Sequence, residues 1–195
     1  MEPSSFEELL AGARRGEGDA LAGLWHRHAR DVAAFVRARG AEDPDAVTSD
    51  VFLGAFGGLA SFQGDETAFR ALLFTIARRR VADDLRRRSR RVPVTSWDDR
   101  LDRRTVASVE EVVVAQQGAA TLVEAIGRLS PGQRDVLLMR LVADLPIEAV
   151  AAALGKSPGT VKSLQRRGLD ALRRTVVRDP GAEPGDAERT GSVSR

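Results

Sequence analysis

Apolar residues in this chain recur at spacings of three and four almost throughout, and the strict alternation of a half-buried strand is nearly absent. Over 47–59, Val47, Val51, Phe52, Ala55 and Leu59 form one apolar stripe. Over 69–85, Phe69, Leu72, Leu73, Ile76, Ala77, Val81 and Leu85 form another and leave the arginines on the opposite face. The span 6–37, with Phe6, Leu9, Leu10, Leu21, Leu24, Trp25, Val32, Phe35 and Val36, reads as two helices broken near Gly16–Gly18. The pattern predicts an all-α fold. Aromatic residues suited to a core concentrate before residue 75, so the first part of the chain can close a small helical bundle of its own.

From Ser89 to about Ser108 the helical period fails, and Pro93 and the Asp98–Asp99 pair describe a linker. The pattern resumes at 109–129 and continues to Val177. Residues 179–195 are rich in Pro, Gly and acids with almost nothing to bury, which predicts disorder. The expected organisation is two small helical domains, 6–91 and 108–178, joined by a flexible linker over 92–107 and followed by a tail.

The 195 residues allow one ordinary domain or two small ones. Without cysteine there is no disulfide, no thiolate catalysis and no Cys-based zinc site. No apolar run approaches the roughly 18 residues of a membrane span, and the acidic N-terminal stretch is unlike a signal peptide. These features predict a soluble, cytoplasmic protein without membrane insertion.

The formal charge of +2 conceals a strong segregation. Residues 40–68 hold six acids (Glu42, Asp43, Asp45, Asp50, Asp65, Glu66) and no base. Residues 69–91 hold nine arginines against Asp83 and Asp84, a net +7. Residues 92–127 stand at −3, and residues 156–178 carry seven bases against Asp170, a net +6. A merely solvated surface would scatter the signs. Two basic stripes far apart in sequence instead favour two contacts with a polyanion.

Catalytic readings find little support. His26 and His28 stand two apart and do not share a helix face, and the chain has no third histidine. The adjacent acids Asp83–Asp84 and Asp98–Asp99 also point apart on a helix, and neither a nucleophile nor a phosphate-cradling glycine loop accompanies them. No enzymatic activity, small cofactor or metal is expected.

The second half contains a helix-turn-helix. Ser130-Pro131-Gly132-Gln133 starts a helix with an N-cap, a first-turn proline and a glutamine placed for a capping box. Residues 147–154 make a short apolar helix ended by Gly155, suited to a left-handed C-terminal position. Ser157 and Pro158 then launch another, and Ala151, Ala152 and Ala153 permit close helix approach. The second helix of such a unit enters the major groove. Its first turns offer Thr160, Lys162, Ser163, Gln165 and Arg166, while Val161, Leu164, Leu169 and Leu172 mostly face inward. Arg and Gln can read guanine or adenine through paired hydrogen bonds.

Several motifs together resemble the extracytoplasmic-function (ECF, group IV) sigma factors of the bacterial sigma-70 family. DPDAVTSDVFLGAF (43–56) is similar to the region 2.2 helix, which docks on the clamp coiled coil of RNA polymerase. FQGDETAF (62–69) and RALLFTIARRRVADDLRRR (70–88) resemble the loop and helix that melt and hold the −10 promoter element. LSPGQRDVLLMR (129–140) and AVAAALGKSPGTVKS (149–163) resemble region 4, which reads the −35 element. The chain departs from the family pattern at Leu72, where a Trp is usual, and at Ala46, Ser49-Asp50, Arg79 and Pro146.

The resemblance implies a sigma factor that binds core RNA polymerase, through the β′ clamp and the β subunit, and directs promoter-specific initiation. The alternative is a stand-alone helix-turn-helix regulator that binds an operator without joining polymerase. An anti-sigma protein is a further partner that the resemblance admits. Polymerase docking is expected at Asp43, Asp45, Asp50, Val51 and Phe52, since an acidic helix suits a basic protein better than DNA. The −10 element is expected at Phe62, Gln63, Gly64, Asp65, Arg70, Arg78, Arg79, Arg80, Arg86, Arg87 and Arg88, with an extruded base held at the turn and phosphates neutralised by arginine. The −35 element is expected at Ser157, Pro158, Gly159, Thr160, Lys162, Ser163, Gln165, Arg166 and Arg167. The linker acids Asp98, Asp99 and Asp102 would keep that segment off the DNA-binding surfaces.

Overall fold

The computed structural model describes residues 5–91 and 125–178, and among these every regular element is an α-helix. The first half contains α1 (Phe6–Arg14), α2 (Gly18–Ala38), α3 (Pro44–Gly57) and α4 (Glu66–Arg91). Ser5 opens α1 with a capping box: Glu8 N donates to Ser5 Oγ at 3.2 Å and Ser5 N to Glu8 Oε2 at 2.9 Å. The break near Gly16 is real, with Gly16 left-handed at φ 83°. It folds α1 back on α2 so closely that a Cβ at Gly12 would stand 2.7 Å from that of Ala20.

Asp43 caps α3, its carboxylate accepting from Ala46 N at 2.9 Å, and Pro44 fills the first turn. Asp65 caps α4 in the same way, accepting from Ala68 N at 2.8 Å. The helix continues to Arg91, beyond Ser89, where the period fails. Loss of the stripe marks only where burial ends. Arginine remains a good helix former, and the first residue that disfavours the helix is the one before Pro93. The expected linker, residues 109–124 of the expected next helix and the expected tail lie outside the described residues.

The core of this half is aromatic. Phe35 meets Phe74 edge-on at 5.2 Å, Phe69 gathers Phe6 and Phe62 at 5.7 Å each, and Trp25 lies 4.5 Å from Phe52.

In the second half a helical turn at 125–127 leads to α5 (Pro131–Leu141), α6 (Ile147–Leu154) and α7 (Pro158–Arg178). The Ser130–Gln133 capping box forms as the sequence predicts. Arg134 secures the approach to α5, its guanidinium donating to the carbonyls of Ile126 (3.0 Å), Gly127 and Leu129 (3.3 Å). Gly168 lets α7 lie on α5; a Cβ there would come within 2.8 Å of Leu137 Cδ1.

The two halves are not separate bodies in this structure. α6 packs on α4, and α5 touches α2. Val136, Leu138, Met139, Ala143, Leu145, Val150, Ala151 and Val161 join the same buried cluster as Phe35, Phe74 and Val81. Asp135, buried midway along α5, forms ion pairs with Arg39, the C-cap of α2, and with Arg78 of α4.

His28, which the sequence leaves without a role, is a core residue on α2. Its ring lies 5.6 Å from Phe69, and Nε2 is 3.8 Å from Glu66 Oε1. Burial lowers its pKa from 6.5 to about 4, with Arg70 and Arg27 acting in the same direction and Glu66 and Asp31 opposing. The unfolded chain therefore takes up a proton that the folded chain refuses as pH falls below 6.5. Stability is fully present above that pH and is lost as pH falls towards the folded value near 4, a loss of about 2 kcal/mol by pH ~5. Unfolding followed by circular dichroism at pH ~7.5 and ~5 should show this loss, and His28→Leu should remove most of the difference; equal pH dependence in both proteins would contradict it.

Candidate nucleic-acid and partner interfaces

Three surfaces carry the residues that the sequence singles out. The first is the turn from α3 into α4. Phe62 is half-buried, its ring edge-on to Phe69, while Gln63, Gly64 and Asp65 are exposed. Gly64 sits at φ 153°, and a Cβ there would stand 2.6 Å from that of Ala68 and 3.2 Å from Phe62 Cζ. Only glycine lets the turn close this tightly over the aromatic ring. Arg14, which sequence reasoning missed, anchors the turn from α1 by donating to the carbonyls of Leu59 and Phe62. No local pattern reveals it, because its partners lie more than 40 residues away. The Asp65 carboxylate is engaged as the α4 cap, so what it offers a ligand is the helix start that it stabilises.

Beside this turn Glu66 receives Arg27 in a two-pronged pair, at 2.7 and 2.9 Å. That pairing holds its carboxyl below the usual range and fastens α4 to α2. Arg70 follows, half-exposed. Farther along α4, Arg79, Arg80, Arg86, Arg87, Arg88 and Arg90 are exposed. At about 100° per residue, all of these but Arg88 fall within roughly a third of the helix perimeter, a continuous basic ridge. Arg86 is paired with Asp83 (3.1 Å) in an exposed and weak pair, whereas Arg87 lies 3.6 Å from Asp84, whose largely covered carboxylate also accepts from Glu42 N at 3.2 Å. Arg78 departs from expectation. Its Nε donates to Asp135 Oδ2 at 2.9 Å, so its charge is already answered within the chain.

The second surface is the helix-turn-helix of α6 and α7. Gly155 is left-handed at φ 61°, Gly155 N donates to Ala152 O, and Lys156 N donates to Ala151 O at 2.9 Å, closing α6 as predicted. Ala151 is buried at the approach, Ala153 half-buried, and Ala152 exposed, so not all three alanines serve helix contact. Ser157 caps α7: Thr160 N donates to its Oγ at 3.2 Å, and the two hydroxyls lie 2.9 Å apart. Val161 and Leu172 are buried and Leu164 and Leu169 half-buried, which turns the opposite side outward. Pro158, Gly159, Thr160, Lys162, Arg166 and Arg167 are exposed, with Ser163 and Gln165 at the edge. Arg173 and Arg174 extend this ridge beyond the expected set, at helical spacing from Arg166.

The third surface is α3. Asp45 and Asp50 are exposed, as a docking face needs, and so is Asp43, although its carboxylate caps the helix. Val51 and Phe52 do not belong to this face: they are 0% and 1% exposed. They continue the stripe of Val47, Ala55 and Leu59 into the core and cannot meet a partner. The apolar residue presented beside the acids is Leu53, 70% exposed. It lies about 200° round the helix from Val51, which the period alone reveals. Between α2 and α3 an open groove is lined by Trp25, Arg30, Asp45 and Ser49.

Among the described residues no cluster of His, Asp or Glu is placed to hold a metal, and no helix is long and apolar enough to cross a membrane. What the three surfaces offer is charge and shape: an acidic face with one apolar projection, and two basic ridges on rigid helices.

Comparison with known proteins places names on the same parts. Residues 24–91 match the family description "Sigma-70 region 2", and residues 119–172 match "Sigma-70, region 4". The chain is 32% identical to the ECF RNA polymerase sigma factor BldN of Streptomyces coelicolor over 175 residues, 88% of this chain and 66% of BldN. It is 27% identical over 185 residues to the ECF RNA polymerase sigma factor SigD of Mycobacterium tuberculosis, 91% of this chain and 86% of that protein. Among solved structures, CnrH in complex with the cytosolic domain of CnrY is similar at a TM-score of 0.66 and 26% identity, covering 88% of this chain and 96% of that one. With both of its halves matched in order, the chain belongs to the sigma-70 family, in the extracytoplasmic-function group of RNA polymerase sigma factors.

Proposed function

We propose that the protein binds core RNA polymerase through the exposed face of α3, opens the −10 element with the α3–α4 turn and the α4 ridge, and reads the −35 element with α7. The observation that carries this reading is the order of charge on rigid elements. An acidic helix that DNA would repel is followed by a basic ridge and then by a capped groove-reading helix. Asp45, Asp50 and Leu53 form the docking contact. Arg79, Arg80, Arg86 and Arg87 neutralise backbone phosphates, while Phe62, Gln63 and Gly64 shape the pocket for an unpaired base. Lys162, Ser163, Arg166 and Arg167 face the −35 groove, and Ser157 contributes as the cap that orients them. The protein does no covalent chemistry of its own; the catalyst is the polymerase. A protein regulator docking on this chain, as the cytosolic domain of CnrY does on CnrH, completes the partner set.

The decisive experiment adds the purified chain to core polymerase and follows run-off transcription from promoters mapped after overexpression. Start-site-specific transcripts support the proposal, and sequence-specific DNA binding without any gain of initiation would assign the chain to stand-alone regulators instead. Asp45→Arg with Asp50→Arg should weaken polymerase binding at least tenfold while leaving binding to free DNA unchanged or stronger; the opposite ranking defeats the docking assignment. Arg166→Ala should cost about tenfold or more at a cognate −35 site and relax base preference there. Arg79→Ala with Arg86→Ala should instead weaken binding whatever the sequence, lowering the slope of affinity against salt by about 1.5 to 2.

A further inference from the structure

Asp135 is the one acid among the described residues that lies buried, and both of its ion-pair partners belong to the other half of the chain. Arg39, at the end of α2, lies against Oδ1, and Arg78, on α4, donates to Oδ2 at 2.9 Å. Only 8% of the Asp135 side chain and 10% of the Arg39 side chain reach solvent. Arg134 adds a third positive charge near Arg39. With the carboxylate residue, α5 buries five consecutive residues, Asp135 to Met139, more than a helix with one covered face can. Leu137 turns to Leu129 and Leu172 within its own half, whereas Val136, Leu138 and Met139 enter the core shared with α2 and α4.

This arrangement cannot be the one that reads a promoter, a step that rests on the function proposed above. Elements centred about 25 base pairs apart are separated by roughly 85 Å along B-form DNA, at about 34 Å per turn. In the structure α6 packs directly on α4, an interaxial distance of about 8–10 Å for packed helices. The −35 reader α7 packs in turn on α6, so the two reading helices stand within about two such distances of each other, several-fold too close. The chain between them suits the open state: 33 residues separate Arg91 from Ala125, and with 92–108 extended and the expected helix over 109–124 they reach about 80 Å. In the closed arrangement, moreover, Arg78 of the basic helix is already bound to a carboxylate of the same protein.

We propose that Asp135 is an intramolecular latch: paired with Arg39 and Arg78, it holds region 4 against region 2 in a closed state that cannot span both promoter elements, and its release accompanies promoter engagement. An ion pair suits a latch. Its desolvation roughly offsets its attraction, so it fixes where the halves meet without making them inseparable. Loss of the carboxylate alone leaves Arg39 buried without its counter-charge and repelled by Arg78 and by Arg134 of the other half, which drives the halves apart.

The absence of native cysteine permits a direct test on the full chain. Dyes on Ala11→Cys and Leu141→Cys, both exposed and outside the proposed contacts, report the separation of the halves by single-molecule energy transfer. The parent chain should populate a high-transfer state. Asp135→Asn should lower the closed-to-open ratio about tenfold or more, and Arg39→Gln should do the same from the other side of the seam. Circular dichroism of each variant should retain the parental helix content. A parent chain with no closed population, or two folded variants with an unchanged ratio, would overturn the latch. If either variant fails to fold, the other decides alone; if both lose their helix content, Asp135 and Arg39 hold up the fold itself, and the latch is rejected. Run-off transcription by the parent chain is a separate readout. A latch that opens on mutation in a chain that never supports initiation leaves this inference standing and removes the sigma reading.

Discussion

The apolar face of α4 is the surface on which the rest of the molecule is assembled. Phe69, Leu73, Phe74, Ala77 and Val81 run along it for more than three turns and are essentially inaccessible to water. α2 and α3 cover it from one half of the chain, and α6 covers it from the other. Each of the larger side chains contributes about 1.5–3 kcal/mol when fully buried, so this face accounts for a large share of what opposes the entropy of ordering the helices. The basic ridge on the opposite side is therefore presented by a helix that is anchored along much of its length. Arginines held this way lose little further backbone freedom on meeting a phosphate backbone.

The same helix also decides how function and fold compete. A 26-residue helix with nine arginines in and around it would repel itself in isolation. The acids that relieve the repulsion are few and specific: Glu66 holds Arg27 near its start, Asp83 meets Arg86 on its exposed side, Asp84 lies largely covered beside Arg87, and Asp135 reaches Arg78 from another element. The exposed Arg86–Asp83 pair is weak and exchanges readily for phosphate, whereas the buried Asp135 carboxylate keeps hold of Arg78 until the seam opens. Whether the ridge meets DNA with all its charge is thus set by the position of α5, far from the ridge in sequence.

Much of the architecture was legible because helices announce themselves locally. The break at Gly16, the Ser130–Gln133 box, the left-handed Gly155 and the Ser157 cap depend on residues within one turn of each other, and each is found where the sequence places it. Face assignment was legible but misapplied at 51–53. Three consecutive apolar residues cannot all be buried by an amphipathic helix, and the stripe of Val47, Val51 and Ala55 already excludes Leu53. Three contacts were not legible. Arg14 on the Phe62 turn, His28 against Phe69, and Asp135 between two arginines all depend on partners brought together by tertiary packing. In the sequence Asp135 is one acid among 28, and nothing near it distinguishes a buried carboxylate from a solvated one.

That third contact alters what the charge segregation means. Read along the chain, the acidic and basic blocks divide labour between a protein partner and DNA. In three dimensions the division is incomplete, because an acid from the nearly neutral stretch 128–155 is inserted at the edge of the basic ridge. Two helical halves gain nothing from being folded together unless the contact also conceals apolar surface, and here it does: Val136, Met139, Val150 and Ala151 are buried there. Such surface, left open in a free chain, invites association with other molecules. Closure protects it, and the buried ion pair gives closure a defined register at little net cost in free energy. A partner able to cover the same surface with stronger contacts can then open the chain without first unfolding either half.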